Sequence, residues 1–359
     1  MHRRGFLRAL TGTAALSGVS TVGQEPVLSE ASVTQPARTQ MPRPRTMFGV
    51  PAINDLPSMK ADVAFLGVPY DLGHSSKPGT RLGPAAIREV STSEIAGPLV
   101  AVGAGFYDRE TGATMLSGVR VVDAGDVPIP SASVELSLDN VTSVVAAVVE
   151  RGAMPVVFGG DHSITFAVVR GLKNIGRKIH IIHFDSHQDF GPPTDPSAGN
   201  RRVFNHGNHL RHAIDLPWVS GITMLGVRGV ARGSGGTAAE VRARGIEQVS
   251  ASEIVRHGAE AAVQRIPDAE SYYVTIDIDV LDPSIAPATG TPVPGGVSYY
   301  QLCDVLEGIA GRGKLAGFDV MEVSPPYDVN NRTSELAAYV AIRFLGAAFR
   351  HQKPAKTVA

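Results

Sequence analysis

Six acidic and histidine residues follow short apolar runs in this chain of 359 residues. They belong to the motifs GGDHS, DSHQD and DID, and they are His162, Asp185, His187, Asp189, Asp277 and Asp279. Four carboxylates brought together would raise one another's pKa unless cations neutralise them. Two divalent cations match that charge, and mixed oxygen and imidazole donors suit Mn²⁺ while tolerating Co²⁺, Ni²⁺ or Zn²⁺. The motifs therefore predict a site for two metal ions.

The spacing within the DSHQD motif strengthens this interpretation. Alternate residues of an extended segment share one face, so Asp185, His187 and Asp189 would point the same way directly after the apolar run IHIIHF. The DID pair by itself is more typical of a solvated strand end than of a metal site. His183, inside the apolar run, is interpreted as a core histidine or a support for the ligands.

The elements that must position these motifs alternate between strands and helices. Apolar, β-branched runs predict strands at 61–68, 119–127, 154–160, 179–187, 222–229, 272–280 and 315–323. Helices are predicted between them, for example at 133–151, 240–244 and 299–310. Runs that are apolar on both faces are typical of parallel strands covered by helices on each side, which predicts one three-layer α/β/α domain. Ligands bind at the carboxyl ends of such strands, where the three motifs stand.

The composition limits the class of partner. The chain has 33 basic and 34 acidic residues, so no net positive charge favours nucleic acid or an anionic membrane, and a small-molecule partner is expected. The single cysteine, Cys303, excludes an intramolecular disulfide and a cysteine-rich metal site. No apolar run approaches the roughly 20 residues that a membrane span requires.

Seven motifs occur in order along the chain. They are GVPYD at 67–71, KPGTRLGPAAIRE at 77–89, DAGDV at 123–127, GGDHS at 159–163, DSHQD at 185–189, DIDVLDPSIAPATGTPVPGG at 277–296 and MEVSPP at 321–326. Together they resemble the ureohydrolase family of arginases and agmatinases over about residues 61–345, and the glycine-rich and His-Gly segments are more similar to agmatinases. The resemblance implies an arginase-like fold with a central parallel sheet of about eight strands. It also implies a binuclear manganese site, with Ni²⁺ or Co²⁺ as alternatives, and self-association as a trimer or hexamer.

The resemblance also assigns roles to individual residues. His162 and Asp189 would hold one ion, His187 and Asp279 would hold the other, and Asp185 and Asp277 would bridge the pair. Glu322 would hold the planar N–H face of a guanidinium group through its two carboxylate oxygens. His206, in the segment NHGNHLRHA, would deliver a proton to the departing amine. The implied reaction is hydrolysis of a guanidino compound to urea and an amine.

The chain departs from the family pattern where the substrate tail would lie. Asn208 and His209 follow the His-Gly pair, and both are predicted to line the substrate pocket. Arg201 lies in an arginine-rich segment with one acid, which predicts a preference for a guanidino acid over the cationic tail of agmatine. Agmatine, guanidine and small alkylguanidines stay open as substrates. Two further departures, Ala288 and Ser324, also fall in substrate loops.

The ends of the chain are predicted to lie outside the catalytic domain. Residues 1–24 have paired arginines, no acid and a weakly apolar stretch, which resembles a twin-arginine signal peptide and predicts a periplasmic or secreted protein. The protein would be cytoplasmic if the signal is not used. Residues 25–58 are rich in Pro, Thr, Ser and Arg and predict an extended arm without core residues. The catalytic domain is predicted at 59–350 and a short tail at 351–359.

Two other functions are consistent with parts of the pattern. An exported protein of the same fold could bind metal or guanidinium without turnover, although binding the ions requires neither His206 nor Glu322. A related amide hydrolase or deacetylase with one zinc would not need both acids of the DID motif together with His162 and Asp189.

Overall fold

The computed structural model describes residues 45–75, 77–96, 105–130, 133–230 and 236–351. The predicted signal peptide, the predicted arm up to residue 44 and the tail from residue 352 lie outside these ranges. No helix in the described ranges is both long enough and apolar enough to cross a membrane.

Eight parallel strands form the central sheet. In chain order they are β1 (Val63–Val68), β2 (Val121–Asp126), β3 (Met154–Gly159), β4 (Ile179–Phe184), β5 (Val219–Val227), β6 (Glu247–Ser250), β7 (Tyr272–Asp277) and β8 (Leu315–Met321). Their order across the sheet is β6-β5-β4-β7-β8-β3-β1-β2, and every neighbouring pair is parallel. Seven of these strands confirm the predicted runs. The edge strand β6 was not predicted, because its sequence EQVS buries only Val249 and carries no apolar run.

In the described ranges, eight α-helices connect and cover the strands. They are α1 (Gly83–Val90), α2 (Val134–Glu150), α3 (Ile164–Gly171), α4 (His209–Ala213), α5 (Gly236–Ala243), α6 (Ala251–Gln264), α7 (Tyr299–Arg312) and α8 (Arg332–His351). Local sequence sets several of their starts. Capping boxes formed by Ser250 with Glu253 and by Ser298 with Gln301 begin α6 and α7.

The sheet separates two hydrophobic cores. Along β1, Val63 and Phe65 enter the core that is covered by α1, α6, α7 and α8. Ala64 and Leu66 enter the core that is covered by α2 and α3, to which α4 contributes two residues and α5 one. Alternate residues of a strand point to opposite faces, so a strand that is apolar on both faces fills both cores. The predicted three-layer α/β/α fold is confirmed.

The described part of the predicted arm contributes to a core. Met47 and Phe48 are fully buried, and the ring of Phe48 packs on Phe65 of β1 and on Phe106, with ring centroids 5.4 and 5.8 Å apart. The backbone N–H of Met47 donates a 2.7 Å hydrogen bond to Asp123. The expectation of an arm without core residues is wrong here, because two apolar residues in a Pro- and Arg-rich segment produce no periodic pattern.

Replacing Phe48 by alanine is expected to lower the free energy of unfolding by about 3–5 kcal/mol, because it leaves a cavity between the segment and β1. Equilibrium denaturation of the full chain measures the loss. Val255→Ala, a truncation at a half-exposed position of α6, is the control and should change the free energy of unfolding by less than about 1 kcal/mol. Equal, small losses in both variants would show that the segment does not stabilise the sheet.

Candidate functional site

The chemistry-bearing motifs meet at the carboxyl edge of four adjacent strands. β3 ends just before His162, β4 ends before Asp185, and β7 ends at Asp277. β8 lies between β3 and β7 and ends before Glu322. Because the four strands are parallel, their ends open on one side, and the structure brings all six predicted ligands together there.

One cluster is centred on His162. Its Nδ1 lies 3.2 Å from Asp185, 3.3 Å from Asp277 and 3.5 Å from Asp189, measured to Oδ2 of each carboxylate. Its other ring nitrogen, Nε2, lies 2.8 Å from the hydroxyl of Thr275 on β7. That contact fixes the ring so that Nδ1 faces the three carboxylates. This set is called the inner cluster below.

A second cluster, called the outer cluster, is centred on His187. Its Nδ1 lies 3.1 Å from Oδ1 of Asp185 and 3.2 Å from Oδ2 of Asp279. Asp185 therefore faces both clusters, one oxygen to each histidine, as a bridging ligand requires. Asp277 turns Oδ2 to the inner cluster, while its Oδ1 accepts a 2.8 Å hydrogen bond from the backbone N–H of Asp279.

The chemistry of this donor set fits two divalent ions. Oδ2 of Asp185 and Oδ2 of Asp279 are buried and accept no hydrogen bond within the described part of the chain, although imidazole nitrogens lie 3.0–3.2 Å away. Burial and the Asp279 and Asp185 carboxylates raise the pKa of Asp277 well above its usual range. So many buried, mutually repelling carboxylates are stable only with positive charge among them. Oxygen and imidazole donors in this ratio suit first-row divalent metals.

Protons and metal ions compete for the two histidines. Burial opposes protonation, but Asp185 raises the pKa of His162 to about 9, and Asp185 with Asp279 raises that of His187 to about 12. An imidazole below its pKa carries a proton that a metal ion must displace. The affinity for divalent metal is therefore expected to rise with pH between 6.5 and 8.5, by about tenfold per pH unit for each proton displaced.

Calorimetric titration of the metal-free protein with Mn²⁺, in buffers of different ionisation enthalpy, measures both the affinity and the protons released. His257→Gln removes an imidazole on the exposed face of α6 and should leave both quantities unchanged. An affinity that is independent of pH would contradict the assignment of the two histidines as ligands.

Glu322 stands beside the inner cluster in a strained backbone conformation. Its φ is 67°, which is uncommon for a non-glycine residue. Its N–H donates to the carbonyl of Gly160 (3.0 Å), and its Oε1 accepts a 2.8 Å hydrogen bond from the N–H of His162. Burial would raise the pKa of Glu322, but the neighbouring His206 and His74 lower it to about 2. The carboxylate is thus buried and ionised next to the metal clusters.

His206, the predicted proton donor, lies beside Glu322 at the partly exposed side of the site. Its Nδ1 is 3.5 Å from Oε1 of Glu322, and its Nε2 is 2.8 Å from the hydroxyl of Ser75. Its backbone N–H donates to the carbonyl of Gly73 (3.1 Å), which ties the His-Gly loop to the loop that follows β1. The side chain is 14% exposed, so it can exchange protons with solvent.

His74 is a residue of the site that was not predicted from the sequence. This residue lies in the loop after β1, and its Nε2 is 3.2 Å from Oε2 of Glu322. Its ring stacks on that of His206, with centroids 4.5 Å apart and planes 26° apart. Polar residues that follow an apolar run are candidates for this edge of the sheet, but His74 stands six residues beyond the end of β1, too far for the run to indicate its direction.

Asn208 supports a loop and is not a substrate contact. Its side-chain amide donates to the carbonyls of Pro192 (3.0 Å) and Val203 (3.1 Å), and its side-chain oxygen accepts from the N–H of Asn205 (3.0 Å). The side chain is buried and its hydrogen-bonding groups are used within the protein. The predicted pocket role is therefore corrected.

His209 is likewise not at the substrate. Its ring stacks on His162, with centroids 4.2 Å apart, and its Nδ1–H donates to the carbonyl of His206 (3.0 Å) and lies 3.4 Å from Asp189. Burial and the nearby His162 lower the pKa of His209 well below its usual value. Donor atoms of His162, His183, Asp189 and His209 lie within 4.8 Å of one another. The residue therefore packs behind the inner cluster as a neutral imidazole.

The arginine-rich segment gives little support for an anionic substrate tail. Arg201 is exposed on a two-residue strand that pairs with Thr194–Asp195. Arg202 lies over the ring of Phe204, 5.0 Å from its centroid, and Arg211 forms ion pairs with Asp215 and Glu240. Two of the three arginines are thus held by partners within the protein, and the predicted substrate contact of Arg201 is not supported.

The fold and the site together define a metal-dependent hydrolase with a carboxylate–histidine binuclear centre and an acidic pocket beside it. Residues 61–346 match the family model described as "Arginase family". The chain is 35% identical to proclavaminate amidinohydrolase of Streptomyces clavuligerus over 289 residues, which are 79% of this chain and 87% of that protein. It is 32% identical to guanidinobutyrase of Pseudomonas aeruginosa, over 84% of this chain and 91% of that protein.

Solved structures of similar proteins share the fold of this chain. The proclavaminate amidinohydrolase structure superposes with a TM-score of 0.73 at 32% identity, covering 86% of this chain and 98% of that one. A hypothetical agmatinase from Burkholderia thailandensis superposes with a TM-score of 0.71 at 28% identity, covering 84% and 90%. The chain belongs to the arginase family of ureohydrolases.

Proposed function

We propose that this protein hydrolyses a guanidino compound to urea and an amine, using two divalent metal ions held by the inner and outer clusters. The observation that carries the proposal is the ionised, buried carboxylate of Glu322 within hydrogen-bonding reach of the inner cluster's His162 backbone. A site that only stored metal would not need a buried anion there, whereas a guanidinium substrate does.

Different side chains act at different stages of the proposed reaction. Glu322 orients the guanidinium through its planar N–H face, so that the central carbon is presented to the metal clusters. When bound, the two ions supply a water whose pKa is lowered towards neutrality. As water adds to the guanidinium carbon and the C–N bond breaks, His206 gives a proton to the departing amine. Ser75, 2.8 Å from Nε2 of His206, holds that ring in place.

Manganese is the proposed metal, with nickel or cobalt as the alternatives. Four carboxylates against two imidazoles make a donor set rich in oxygen, which suits Mn²⁺. We further propose that the chain self-associates as a trimer or hexamer, which the family resemblance supports. Export to the periplasm or beyond is proposed from the paired arginines Arg3 and Arg4 and the weakly apolar stretch after them.

The names of the relatives indicate that the substrate tail varies within the family. They include guanidinobutyrase and guanidinopropionase of Pseudomonas aeruginosa and agmatinase of Bacillus anthracis. Guanidino compounds with acidic tails, cationic tails or no tail are therefore all candidates for this chain, and the chemistry at the guanidinium group is the shared part.

Urea release tests the proposed function. Protein loaded with Mn²⁺, and in parallel with Ni²⁺, is incubated with agmatine, arginine, 4-guanidinobutyrate, guanidine and methylguanidine under identical conditions. Release of urea from at least one compound is the expected result. Absence of urea from all five, with two ions bound per chain by elemental analysis, would instead favour a non-catalytic binding protein.

A further inference from the structure

The carboxylate of Glu322 is enclosed on both of its oxygens. Oε1 accepts the N–H of His162 and faces His206, while Oε2 faces Nε2 of His74 at 3.2 Å. The side chains of Glu322 and His74 are 0% and 1% exposed. A guanidinium group bound at Glu322 would therefore lie against the His74 ring, which forms one wall of the space around Oε2.

The ring of His74 is held in this position from two further sides. On one side it stacks on His206. On the other it lies directly against Gly290, where a Cβ atom would overlap Nε2 and Cε1 of His74 and would lie 3.2 Å from the carbonyl oxygen of Lys77. Gly290 belongs to the loop after β7, so His74 fills the space between that loop and the His-Gly loop.

A substrate tail must occupy space next to the guanidinium group. Beside Glu322 that space is taken by an imidazole that touches both neighbouring loops. Among the histidines of the site named above, only His187 and His206 have side chains more than a tenth exposed, at 37% and 14%. A guanidinium with no tail, or with one methyl group, needs far less of this space than a chain of three or four methylenes.

On the basis of the proposed function, we infer that His74 closes the pocket against the substrate tail and limits this enzyme to guanidine and very short alkylguanidines. His74 acts here as a specificity residue: its ring contacts the carboxylate that binds the substrate. Gly290 contributes to the same specificity, because any larger residue at this position would push the His74 ring out of place.

The test is the substrate preference of the wild-type protein and of His74→Ala, as kcat/KM for guanidine and methylguanidine against agmatine and 4-guanidinobutyrate. Wild type is expected to prefer the short compounds by at least about tenfold. His74→Ala is expected to lower that ratio by about tenfold or more, mainly by raising kcat/KM for the long compounds. His257→Ala, which removes an exposed imidazole on α6, should leave the ratio unchanged.

Gly290→Ala provides a second test that does not depend on the His74 variant alone. It is expected to raise kcat/KM for agmatine and 4-guanidinobutyrate in the wild-type background by displacing the His74 ring, and to have a smaller effect in the His74→Ala background, because the overlapping ring is then gone. Equal effects in the two backgrounds, with normal circular dichroism and two ions per chain, would overturn the packing argument.

The outcomes also separate this inference from the proposed function. Urea from agmatine or 4-guanidinobutyrate in preference to guanidine overturns the role of His74 and leaves the ureohydrolase activity standing. An unchanged ratio in a folded, metal-loaded His74→Ala protein has the same meaning. No urea from any compound with two ions bound overturns both.

Discussion

Asp185→Asn is expected to bind fewer than two divalent ions per chain and to release urea on the order of a thousandfold more slowly. Oδ2 of Asp185 lies 3.2 Å from Nδ1 of His162, and Oδ1 lies 3.1 Å from Nδ1 of His187. Loss of a group that only supports a metal ligand costs about 10–100-fold in affinity or activity. Loss of a charge shared by both clusters should exceed that, because an asparagine amide is neutral and presents N–H groups to one of the two ions.

Elemental analysis after dialysis and the rate of urea release measure the two effects. Asp282→Asn is the matched control: Asp282 lies just beyond the DID motif, and its side chain accepts a 2.9 Å hydrogen bond from the N–H of Ser284 in a turn. An asparagine can accept the same bond, so metal content and activity should be retained. Two ions bound per chain in Asp185→Asn would refute the shared-ligand geometry.

Glu322→Gln is expected to keep both metal ions and to lose about thirtyfold to several thousandfold in kcat/KM. Removing one partner of a buried, hydrogen-bonded charge pair costs about 2–5 kcal/mol, much of it from leaving the other charge unpaired. Here the unpaired charge would be the guanidinium of the substrate. Because glutamine has nearly the same shape and can still accept the N–H of His162, the structure should change little.

Steady-state kinetics together with metal content distinguish this loss from damage to the metal clusters. Glu307→Gln is a suitable control, since Glu307 forms an exposed ion pair with Arg350 near the end of α8. It should match wild type in both measurements. Wild-type activity in Glu322→Gln, or loss of metal from it, would show that the carboxylate does not bind the guanidinium group.

The sequence predicted the sheet well because parallel strands covered on both faces are apolar on both faces. The same rule led to the proposed metal ligands, since residues directly after such a strand lie at its carboxyl edge. The rule fails for β6, because this strand lies at the edge of the sheet and has a mostly polar sequence. It also fails for Phe48, whose burial depends on contacts with β1 and not on its neighbours in sequence.

The substrate side of the site was harder to predict than the metal side. His74, Asn208 and His209 lie in loops or at a short helix start, where spacing does not determine the direction of a side chain. Asn208 turns towards loop carbonyls, His209 turns behind His162, and His74 turns to Glu322. Only the three-dimensional contacts between loops that are distant in sequence distinguish these orientations.

The backbone at Glu322 has a consequence for how stability is distributed in the molecule. Asp189, a proposed ligand, has a positive φ of 46°, and Glu322 has one of 67°. Glycine would relieve the backbone strain at both positions but would remove the carboxylates. The chain therefore keeps a strained backbone at the carboxyl edge of the sheet. Metal ions that bind at this edge would stabilise the fold, because ligands that bind only the folded state stabilise it. Metal binding is thus expected to stabilise most the edge of the sheet that carries the chemistry.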